Sequence, residues 1–427
     1  MKDVEKVDKE IIYQAHVSEE PFNFLSDLIE KFGARFAGSQ NENEAAHYLV
    51  DIMNKYGLEN VHLKEFTYRG WQRDKSRLSL QEADSEKKFP CIGLPYCPSD
   101  KVQGKLIDLE NGTEADFMRK REDIEGNIVL VSARKPVYAR KKMHRRDKYK
   151  RAEEAGACGF LWMREEGGHL AETGGLPRNA SIPGVGISYE TGFKLKKSCT
   201  ARSQIVVETE HDFPEVKSYN VMGTLKGSEE FRGEGRLIAG AHYDGHDISE
   251  SALDNGAGTA VVLEAARLLA SRGKSLGFPV DFVLFAAEEI GLLGSEEFVE
   301  NQVNLDNYRF MINLDGAPGR PVDRLGLALQ GWPELIPQFR EAAKKMNRSD
   351  LEIAVSPNKH SDMFPFSRKG VPSGYFKDMG SVPTGRNWGH TRADTLDKVK
   401  PHRLREDSLL LARMLLYTSR IKDWPLD

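Results

Sequence analysis

The sequence predicts an α/β protein built as a three-layer α/β/α sandwich around a mostly parallel, mixed sheet. Three segments support this fold, RLIAGAHYD, VDFVLFAAEE and YRFMINLDG, because each is a nearly continuous apolar run that ends in polar residues. Strands that are buried on both faces have this pattern, whereas strands with one solvated face alternate. Helical periodicity follows the first two runs, in GTAVVLEAARLLA and GLLGSEEFVENQ, as expected when strands and helices alternate.

Upstream of these strands the pattern changes twice. Residues 21–57 carry apolar side chains at helical spacing in PFNFLSDLIEKFG and NENEAAHYLVDIMNKYG, and VHLKEFTY then alternates as a strand does. Residues 86–208 hold short β segments, GKLIDL, GNIVLVSA, GFLWM and VGISYE, with one helix near KYKRAEEAGA. The sequence therefore predicts a separate, smaller and β-rich region at 86–208.

Length and composition place the chain among ordinary globular proteins. It has 427 residues, 39% of them hydrophobic and 30% charged, which is long enough for two or three domains. The N-terminal MKDVEKVDKEII lacks the apolar core of a signal peptide, and no stretch approaches the roughly 20 apolar residues of a membrane span. The four cysteines have no CxxC spacing, which favours buried thiols over zinc ligands or disulfides. We expect a cytoplasmic protein without a membrane partner.

A strongly basic segment lies within the β-rich region. Residues 134–151 contain ten Lys and Arg residues in eighteen, a density found in RNA-binding and membrane-binding patches. The alternative is a solvated loop and helix face. We favour this alternative because acidic residues lie close by and no alternation of aromatic and basic residues suggests a base-stacking surface. We therefore expect no nucleic-acid partner, and the net charge of −4 gives no further argument for one.

Acidic and imidazole side chains follow the three apolar runs. They are His242 and Asp244 after the first, Glu288 and Glu289 after the second, and Asp315 after the third. Ligands bind at the carboxyl ends of strands in open α/β sheets, so these groups are expected to converge. One acid at a strand end is usually a helix cap, but three strands that end in this way favour a binding site.

Two further candidates complete a set of metal ligands. Asp254 precedes the helix at 261–269 and would be read as a cap if it stood alone. His390 lies in the turn-rich GRNWGHTRADT, where no hydrophobic face requires a histidine. Nitrogen and carboxylate ligands without cysteine suit zinc, with cobalt or manganese as substitutes. Because a catalytic zinc uses three protein ligands, five candidates suit two metals about 3.5–4 Å apart that share one carboxylate.

In order and spacing, the motifs HYD, ALDNGAG, AAEEIGLLGS, INLDG and GHTRADT resemble the co-catalytic zinc aminopeptidase family. That family includes bacterial leucine-type aminopeptidases, plasma glutamate carboxypeptidase and the transferrin-receptor-like proteins. Residues 86–208, with GNIVLV, RAEEAGACGFLWM and IPGVGIS, resemble the protease-associated domain that some members carry as an insertion. The resemblance thus implies a catalytic domain formed by residues 1–85 and 209–427.

The resemblance also implies a role for each site residue. One zinc would be held by His242 and Asp315 and the other by Glu289 and His390, with Asp254 bridging the two.

Glu288 would be the general base that takes a proton from the attacking water and passes it to the leaving amine. Asp244 would bind the imidazole of His242 and fix its tautomer, and Asp394 would do the same near His390. A cis peptide bond is expected at Asp254–Asn255.

Other polar residues of these motifs are not ligands in the family. We expect His246 and Asp247 either to contact a residue that binds the metal or to lie on the surface. We expect His360 either to line the substrate pocket or to lie on the surface. Two positions depart from the family pattern.

Met363 stands where many relatives have histidine, and Gly389 where they often have an aromatic residue. In some relatives the aromatic residue at the position of Gly389 is a tyrosine that stabilises the oxyanion of the tetrahedral intermediate. In this chain the metals, Tyr375, Trp388 or a backbone amide would have to stabilise that oxyanion.

The sequence thus predicts a di-zinc exopeptidase that removes the N-terminal residue of peptides or splits dipeptides. The nearest alternative is a carboxypeptidase or dipeptidase of the plasma glutamate carboxypeptidase type, for which Arg386 and Arg392 could bind a substrate carboxylate. A single-zinc acyltransferase that resembles glutaminyl cyclase, a non-catalytic receptor-like scaffold and nucleic-acid binding through 134–151 are the remaining alternatives. The oligomeric state is open, and a homodimer is compatible with the sequence.

Overall fold

The computed structural model describes residues 2–139, 143–231, 235–270, 275–301, 304–380, 387–422 and 424–425. The chain forms two compact units. The first comprises Met1–Thr67, Lys217–Gly389 and Asp394–Asp427, and the second comprises Tyr68–Val216 and His390–Ala393.

Helices and strands are numbered in chain order. The helices are α1 (Lys2–Val17), α2 (Glu20–Phe32), α3 (Gln40–Lys55), α4 (Glu114–Arg119), α5 (Arg121–Ile124), α6 (Arg145–Glu154), α7 (Tyr189–Ser198), α8 (Ala257–Ala270), α9 (Leu293–Asn301), α10 (Ile336–Lys345), α11 (Met363–Arg368) and α12 (Pro401–Thr418). The strands are β1 (Glu59–Arg69), β2 (Gln72–Glu82), β3 (Ser85–Phe89), β4 (Ile92–Gly93), β5 (Asp100–Gly104), β6 (Leu106–Asp108), β7 (Ile128–Ser132), β8 (Gly159–Met163), β9 (Gly184–Ile187), β10 (Gln204–Asp212), β11 (Glu215–Leu225), β12 (Arg236–His242), β13 (Val280–Phe285), β14 (Tyr308–Asn313), β15 (Leu325–Leu329), β16 (Glu352–Val355) and β17 (Ser373–Asp378).

Within the described residues the first unit contains a mixed sheet of eight strands, in the order β1-β11-β13-β12-β14-β17-β15-β16. The four central strands β13, β12, β14 and β17 run parallel, whereas β11 and β15 are antiparallel to their inner neighbours. The predicted fold class is confirmed. Because β12, β13 and β14 are parallel neighbours, their carboxyl ends lie along one edge of the sheet.

Helices cover the central strands. Every residue of β13 is buried, and β12 is buried from Leu237 onward, which accounts for the continuous apolar runs. Helix α8 packs on β12 and β13. Helices α1, α2 and α12 pack in turn against α8. The rings of Phe298 (α9) and Phe366 (α11) pack instead against Phe285 of β13, with centroids 6.0 and 5.9 Å away.

The second unit has a four-stranded sheet, β3-β2-β10-β5, and a five-stranded sheet, β4-β9-β8-β7-β6, within its described residues. It begins earlier in the chain than the 86–208 expected from the sequence, because β2 (Gln72–Glu82) pairs along its length with β10. Strands β6 to β9 are parallel neighbours, so this region is an α/β unit rather than only a set of β-hairpins.

Parts of the basic segment 134–151 are buried, contrary to the expectation of a solvated face. Lys148 is 1% exposed, donates a hydrogen bond to the carbonyl of Ser132 at 2.7 Å and lies 5.3 Å from the ring of Trp162. Arg145 is also buried and donates to the carbonyls of Thr173 and Gly175. Residues 140–142 of the segment lie outside the described residues.

The thiols and the N-terminal segment also differ from expectation. All four cysteines lie in the described part of the chain and are free, but only Cys97 is fully buried. The charged N-terminus forms α1, whose Val7, Ile11 and Ala15 recur every four residues and bury one face. None of the helices within the described residues has the length and apolarity needed to cross a membrane.

A buried ion pair joins α1 to α12. The guanidinium of Arg413 binds Asp8 through Nε to Oδ1 at 2.6 Å and Nη2 to Oδ2 at 2.8 Å, and the hydroxyl of Tyr417 donates to Oδ2 at 3.1 Å. Both charged side chains are 9% exposed. Burial makes this pair costly to break, because removal of one partner leaves the other charge in a nonpolar environment.

We therefore expect Asp8→Ala to lower the free energy of unfolding by about 3–5 kcal/mol, since Arg413 would remain buried without its carboxylate. Denaturant unfolding measures this change. The double variant Asp8→Leu/Arg413→Met is the control, and it should recover much of the loss because neither charge remains. Equal destabilisation in the single and double variants would contradict this explanation.

Candidate metal centre

His242 is the last residue of β12 and lies at the carboxyl edge of the sheet, 1% exposed. Its Nε2 atom is 3.6 Å from Oδ1 of Asp254 and 3.7 Å from Oδ1 of Asp315. Asp315 follows β14 by two residues, and Asp254 lies in the π-helical turn that precedes α8. Their ligand atoms all lie within 4.8 Å of one another, which is close enough to bind a single ion.

Hydrogen bonds from the backbone and small side chains fix this cluster. The hydroxyl of Thr259 in α8 donates to the carbonyl of His242 at 2.9 Å, and the side-chain amide of Asn255 donates to the carbonyl of Leu314 at 2.8 Å. The expected cis peptide bond between Asp254 and Asn255 is present. These contacts tie the loop that carries Asp254 to the strands that carry His242 and Asp315.

Asp244 connects the histidine to the second strand end. Its Oδ1 lies 3.3 Å from Nδ1 of His242, and its two oxygens accept hydrogen bonds from the backbone amides of Glu288 at 3.1 Å and Glu289 at 3.2 Å. The carboxylate is fully buried. One side chain thus orients the imidazole and holds the backbone of the glutamate pair.

The glutamate pair lies just after β13. Glu289 is buried, and its Oε2 is 3.0 Å from Nε2 of His246, which is itself 1% exposed. His246 therefore contacts Glu289, a predicted metal ligand, and does not lie on the surface. Burial raises the pKa of Glu288 well above its usual range, as do Glu289 and Asp315, although His242 opposes them.

The two other predicted residues, His390 and Asp394, bind backbone groups. His390 belongs to the second unit, where its Nδ1 is 3.3 Å from the carbonyl oxygen of Thr173. Asp394 accepts hydrogen bonds from the amides of Leu253 at 2.8 Å and Asp254 at 3.0 Å, so it supports the Asp254 segment. Burial raises the pKa of Asp394 to about 6.

Two buried residues from the N-terminal region were missed by sequence reasoning. Glu42 in α3 accepts hydrogen bonds from the amides of Gly38 and Ala287 and from the hydroxyl of Ser218, and Ala287 directly precedes the glutamate pair. Burial, reinforced by Asp244, raises the pKa of Glu42 well above its usual range. The sequence signal was Ser39-x-x-Glu42, which is typical of a helix cap rather than of a site.

Arg35 is the second missed residue. Its guanidinium is fully buried and donates to the carbonyls of Tyr243 at 2.8 Å, Glu250 at 3.1 Å and Ser251 at 3.1 Å. Burial lowers the pKa of this guanidinium to about 10. Arg35 therefore shapes the loop between His242 and Asp254, and no short motif in the sequence indicates it.

The segment before α11 contacts Asp315. The hydroxyl of Ser361 donates to Oδ2 of Asp315 and accepts a hydrogen bond from the side chain of Asn313 at 2.6 Å. Asp362 is fully buried, and burial raises its pKa to about 7. Met363, at a position where relatives have histidine, is also fully buried and packs in the core with Phe285 and Phe366.

A cavity of about 600 Å³ in the first unit adjoins Asp315. This cavity is lined by Tyr375 and Trp388, the two side chains expected as possible stabilisers of the oxyanion. The hydroxyl of Tyr375 donates to the carbonyl of Ser356 at 3.1 Å. His360 is exposed and does not line it.

Arg392 is exposed in the second unit, and Arg386 lies outside the described residues.

The electrostatics of the cluster favour a cation. Burial disfavours protonation of His242, but Glu288, Asp244, Asp254 and Asp315 hold its pKa well above its usual range. Buried carboxylates are stable only when they are paired, hydrogen-bonded or coordinated to a metal. One imidazole with two carboxylates and no thiolate is a donor set that suits zinc.

Two family models match segments of this chain. Residues 220–414 match the family model described as peptidase family M28, and residues 102–195 match that of the PA domain. The first segment contains Glu288, Asp244 and all five predicted ligands. Aminopeptidase YwaD of Bacillus subtilis is 28% identical over 397 residues, which cover 90% of this chain and 81% of that protein.

Two further relatives span most of the chain. Carboxypeptidase Q of Mus musculus is 22% identical over 395 residues, 89% of this chain and 81% of that protein. The crystal structure of BSAP, a zinc aminopeptidase from Bacillus subtilis, has a TM-score of 0.69 at 26% identity and covers 92% of this chain and 93% of that one.

The contacts of Asp244 generate a prediction. In Asp244→Asn one carboxylate oxygen becomes an amide group, which cannot accept a hydrogen bond from the backbone or the imidazole. We expect zinc affinity to fall by about 10- to 100-fold, as is usual when a residue behind a ligand is changed. Competition with a chromophoric zinc chelator measures the affinity. Asp247→Asn, in the same loop, is the control and should bind zinc as the wild type does; an unchanged affinity in Asp244→Asn would contradict the role of Asp244.

Proposed function

The chain is a member of peptidase family M28 with an inserted PA domain, and from this membership we propose that it is a zinc exopeptidase that releases the N-terminal residue of peptides or splits dipeptides. The observation that carries the proposal is the convergence of His242, Asp254 and Asp315 at the buried edge of the sheet. Aminopeptidase YwaD and the zinc aminopeptidase BSAP, both related over most of the chain, support it.

The proposal assigns two zinc ions, for which cobalt or manganese can substitute. His242 and Asp315 hold the first ion, Glu289 and His390 hold the second, and Asp254 bridges them. Contacts within the first unit support the assignment of His390. A Cβ atom on Gly389 would lie 2.6 Å from Oδ2 of Asp254, and Asp394 binds the backbone amide of Asp254. The chain on either side of residues 390–393 therefore contacts the Asp254 segment.

Bound zinc would supply Lewis acidity for the scissile carbonyl and would lower the pKa of the attacking water. Glu288 is the residue that moves the proton. Its carboxylate is half-buried among other acids, so its raised pKa suits a group that accepts a proton and then releases it to the leaving amine. Asp244 holds the amide of Glu288, and Glu42 holds the amide of Ala287, so the base is attached to a fixed backbone.

A carboxypeptidase or dipeptidase activity is the second candidate. The observation that favours it is the cavity beside Asp315, whose wall contains Arg320, Lys377, Lys398 and Lys400. Cationic side chains there would attract a substrate carboxylate. The similarity to carboxypeptidase Q supports the same candidate.

The two-zinc assignment predicts a metal content of about two ions per chain. Protein that is stripped with chelator, reloaded with zinc and freed of excess metal should reach this content by elemental analysis. Asp315→Ala should retain about one ion, because Glu289, His390 and Asp254 would still hold the second. A wild-type content of one at saturating zinc would favour a single-metal enzyme instead.

The role of Glu288 predicts separate effects on metal and on turnover. Glu288→Gln should keep its zinc, since Glu288 is not a ligand, and should lower kcat for leucine amide by about 100- to 10,000-fold, the usual contribution of a positioned base. Glu300→Gln removes one exposed carboxylate from α9 and is the matched control with unchanged kcat. Near-normal turnover by Glu288→Gln would eliminate Glu288 as the base.

A further inference from the structure

The cavity beside Asp315 has a basic residue, Arg320, that forms no ion pair within the described residues. Arg320 lies in its wall, five residues after Asp315, and is partly buried. Its Nη1 donates to the side-chain oxygen of Asn387 at 3.1 Å, and its buried Nε has no hydrogen-bond partner. In the described part of the chain no carboxylate forms an ion pair with this guanidinium. A guanidinium has five N–H donors, so most of its capacity remains available.

The acids that line the same cavity are already bound elsewhere. Asp378 accepts hydrogen bonds from the amides of Asp323 and Arg324, each at 3.1 Å. Asp397 binds the neighbouring Lys398. Asp315, the third acid, belongs to the metal cluster and also binds Ser361. None of these three carboxylates forms an ion pair with Arg320. Burial raises the pKa of Asp394 and the guanidinium of Arg320 opposes that rise through space, but no hydrogen bond joins the two side chains within the described residues. The N–H groups of Arg320 can therefore still bind a carboxylate that enters the cavity.

Two other cations of the cavity, Lys398 and Lys377, have partners of their own. Lys398 is paired with Asp397 and lies 5.3 Å from the ring of Trp388. Lys377 donates to the hydroxyl of Ser356 at 2.8 Å. Arg320 differs from these two lysines because, within the described residues, its buried Nε has no hydrogen-bond partner and its Nη1 donates to the neutral amide of Asn387.

Gly389 leaves room between Arg320 and the metal cluster. A Cβ atom at residue 389 would lie 3.3 Å from Nη2 of Arg320 and 2.6 Å from Oδ2 of Asp254, so any side chain would crowd both groups. The guanidinium and the predicted bridging carboxylate thus approach the same small volume. A molecule whose reacting bond lies at the metal cluster would place its next few atoms near Arg320.

We propose that Arg320 binds a carboxylate of the substrate and thereby selects dipeptides with a free C-terminus or substrates with an acidic side chain. A guanidinium can donate two parallel hydrogen bonds to a carboxylate, a strong and geometrically specific contact. This inference rests on the proposed exopeptidase function and adds the chemical class of its substrate. It makes Arg320 a specificity-determining residue and leaves proton transfer to Glu288.

The kinetic test compares substrates that differ only in a carboxylate. Zinc-loaded wild type, Arg320→Ala and Arg320→Gln are assayed on Leu-Leu, Leu-Leu amide, glutamic acid α-amide and leucine amide. We expect kcat/KM of the Arg320 variants to fall by about 10- to 100-fold on the substrates whose carboxylate is bound, the usual effect of a lost charged hydrogen bond. The neutral amides should change by less than about threefold. A loss confined to Leu-Leu identifies the C-terminal carboxylate, and one confined to glutamic acid α-amide identifies the side chain.

Arg324→Ala is the matched control, because Arg324 is exposed, pairs with Glu352 and does not line the cavity. It should leave kcat/KM for all four substrates unchanged. An equal loss on charged and neutral substrates in the Arg320 variants, or no loss on any, would overturn the proposal. Partial recovery of Leu-Leu turnover in Arg320→Lys would support a role for the charge.

Direct binding separates this inference from the proposed function. Calorimetric titration of Glu288→Gln with Leu-Leu, with and without Arg320→Ala, needs no turnover. Weaker binding of Leu-Leu but not of Leu-Leu amide in the double variant supports the role of Arg320 even if the wild type hydrolyses neither. Hydrolysis of leucine amide by the wild type together with identical binding in both variants would leave the exopeptidase function intact and refute the carboxylate site.

Discussion

The rest of this structure depends on the burial of negative charge at the carboxyl ends of β12, β13 and β14. Asp244 and Glu289 are buried there, and Glu288, Asp254 and Asp315 are half-buried around His242, an arrangement that is unfavourable without donors or a cation. The surrounding fold supplies backbone amides to the acids behind the ligands. Asp244, Asp394 and Glu42 each accept at least two of them. The oxygens nearest His242 are thereby left for a metal.

This constraint explains which parts of the site could be predicted from the sequence. His242, Glu288 and Asp315 were found because each follows an apolar run, and parallel topology alone brings such ends together. Arg35 and Glu42 were not found, because they reach the site from the α2–α3 loop and from α3, across 208 and 245 residues of sequence. Contacts at such separations depend on tertiary packing, which local patterns of side chains do not encode.

The burial of basic residues in the second unit was missed for a different reason. A run of Lys and Arg is usually solvated, and charge density along the chain carries no information about carbonyl groups. Lys148 and Arg145 are buried because the carbonyls of Ser132, Thr173 and Gly175 point at them and the ring of Trp162 lies alongside. Arg35 has the same environment in the first unit. In each case carbonyl dipoles replace water around a cation, and this compensation becomes visible only when the fold is known.

The small residues after Asp254 have a packing role that links the sequence motif to the site. A Cβ atom on Gly258 would lie 2.2 Å from the carbonyl oxygen of Leu314, so only glycine allows α8 to begin this close to the end of β14. Leu314 directly precedes Asp315, and its carbonyl also accepts the side-chain amide of Asn255. The helix that follows Asp254 is therefore held against the residue before Asp315. Both carboxylates are brought within 3.7 Å of one imidazole nitrogen, although 61 residues of sequence separate them.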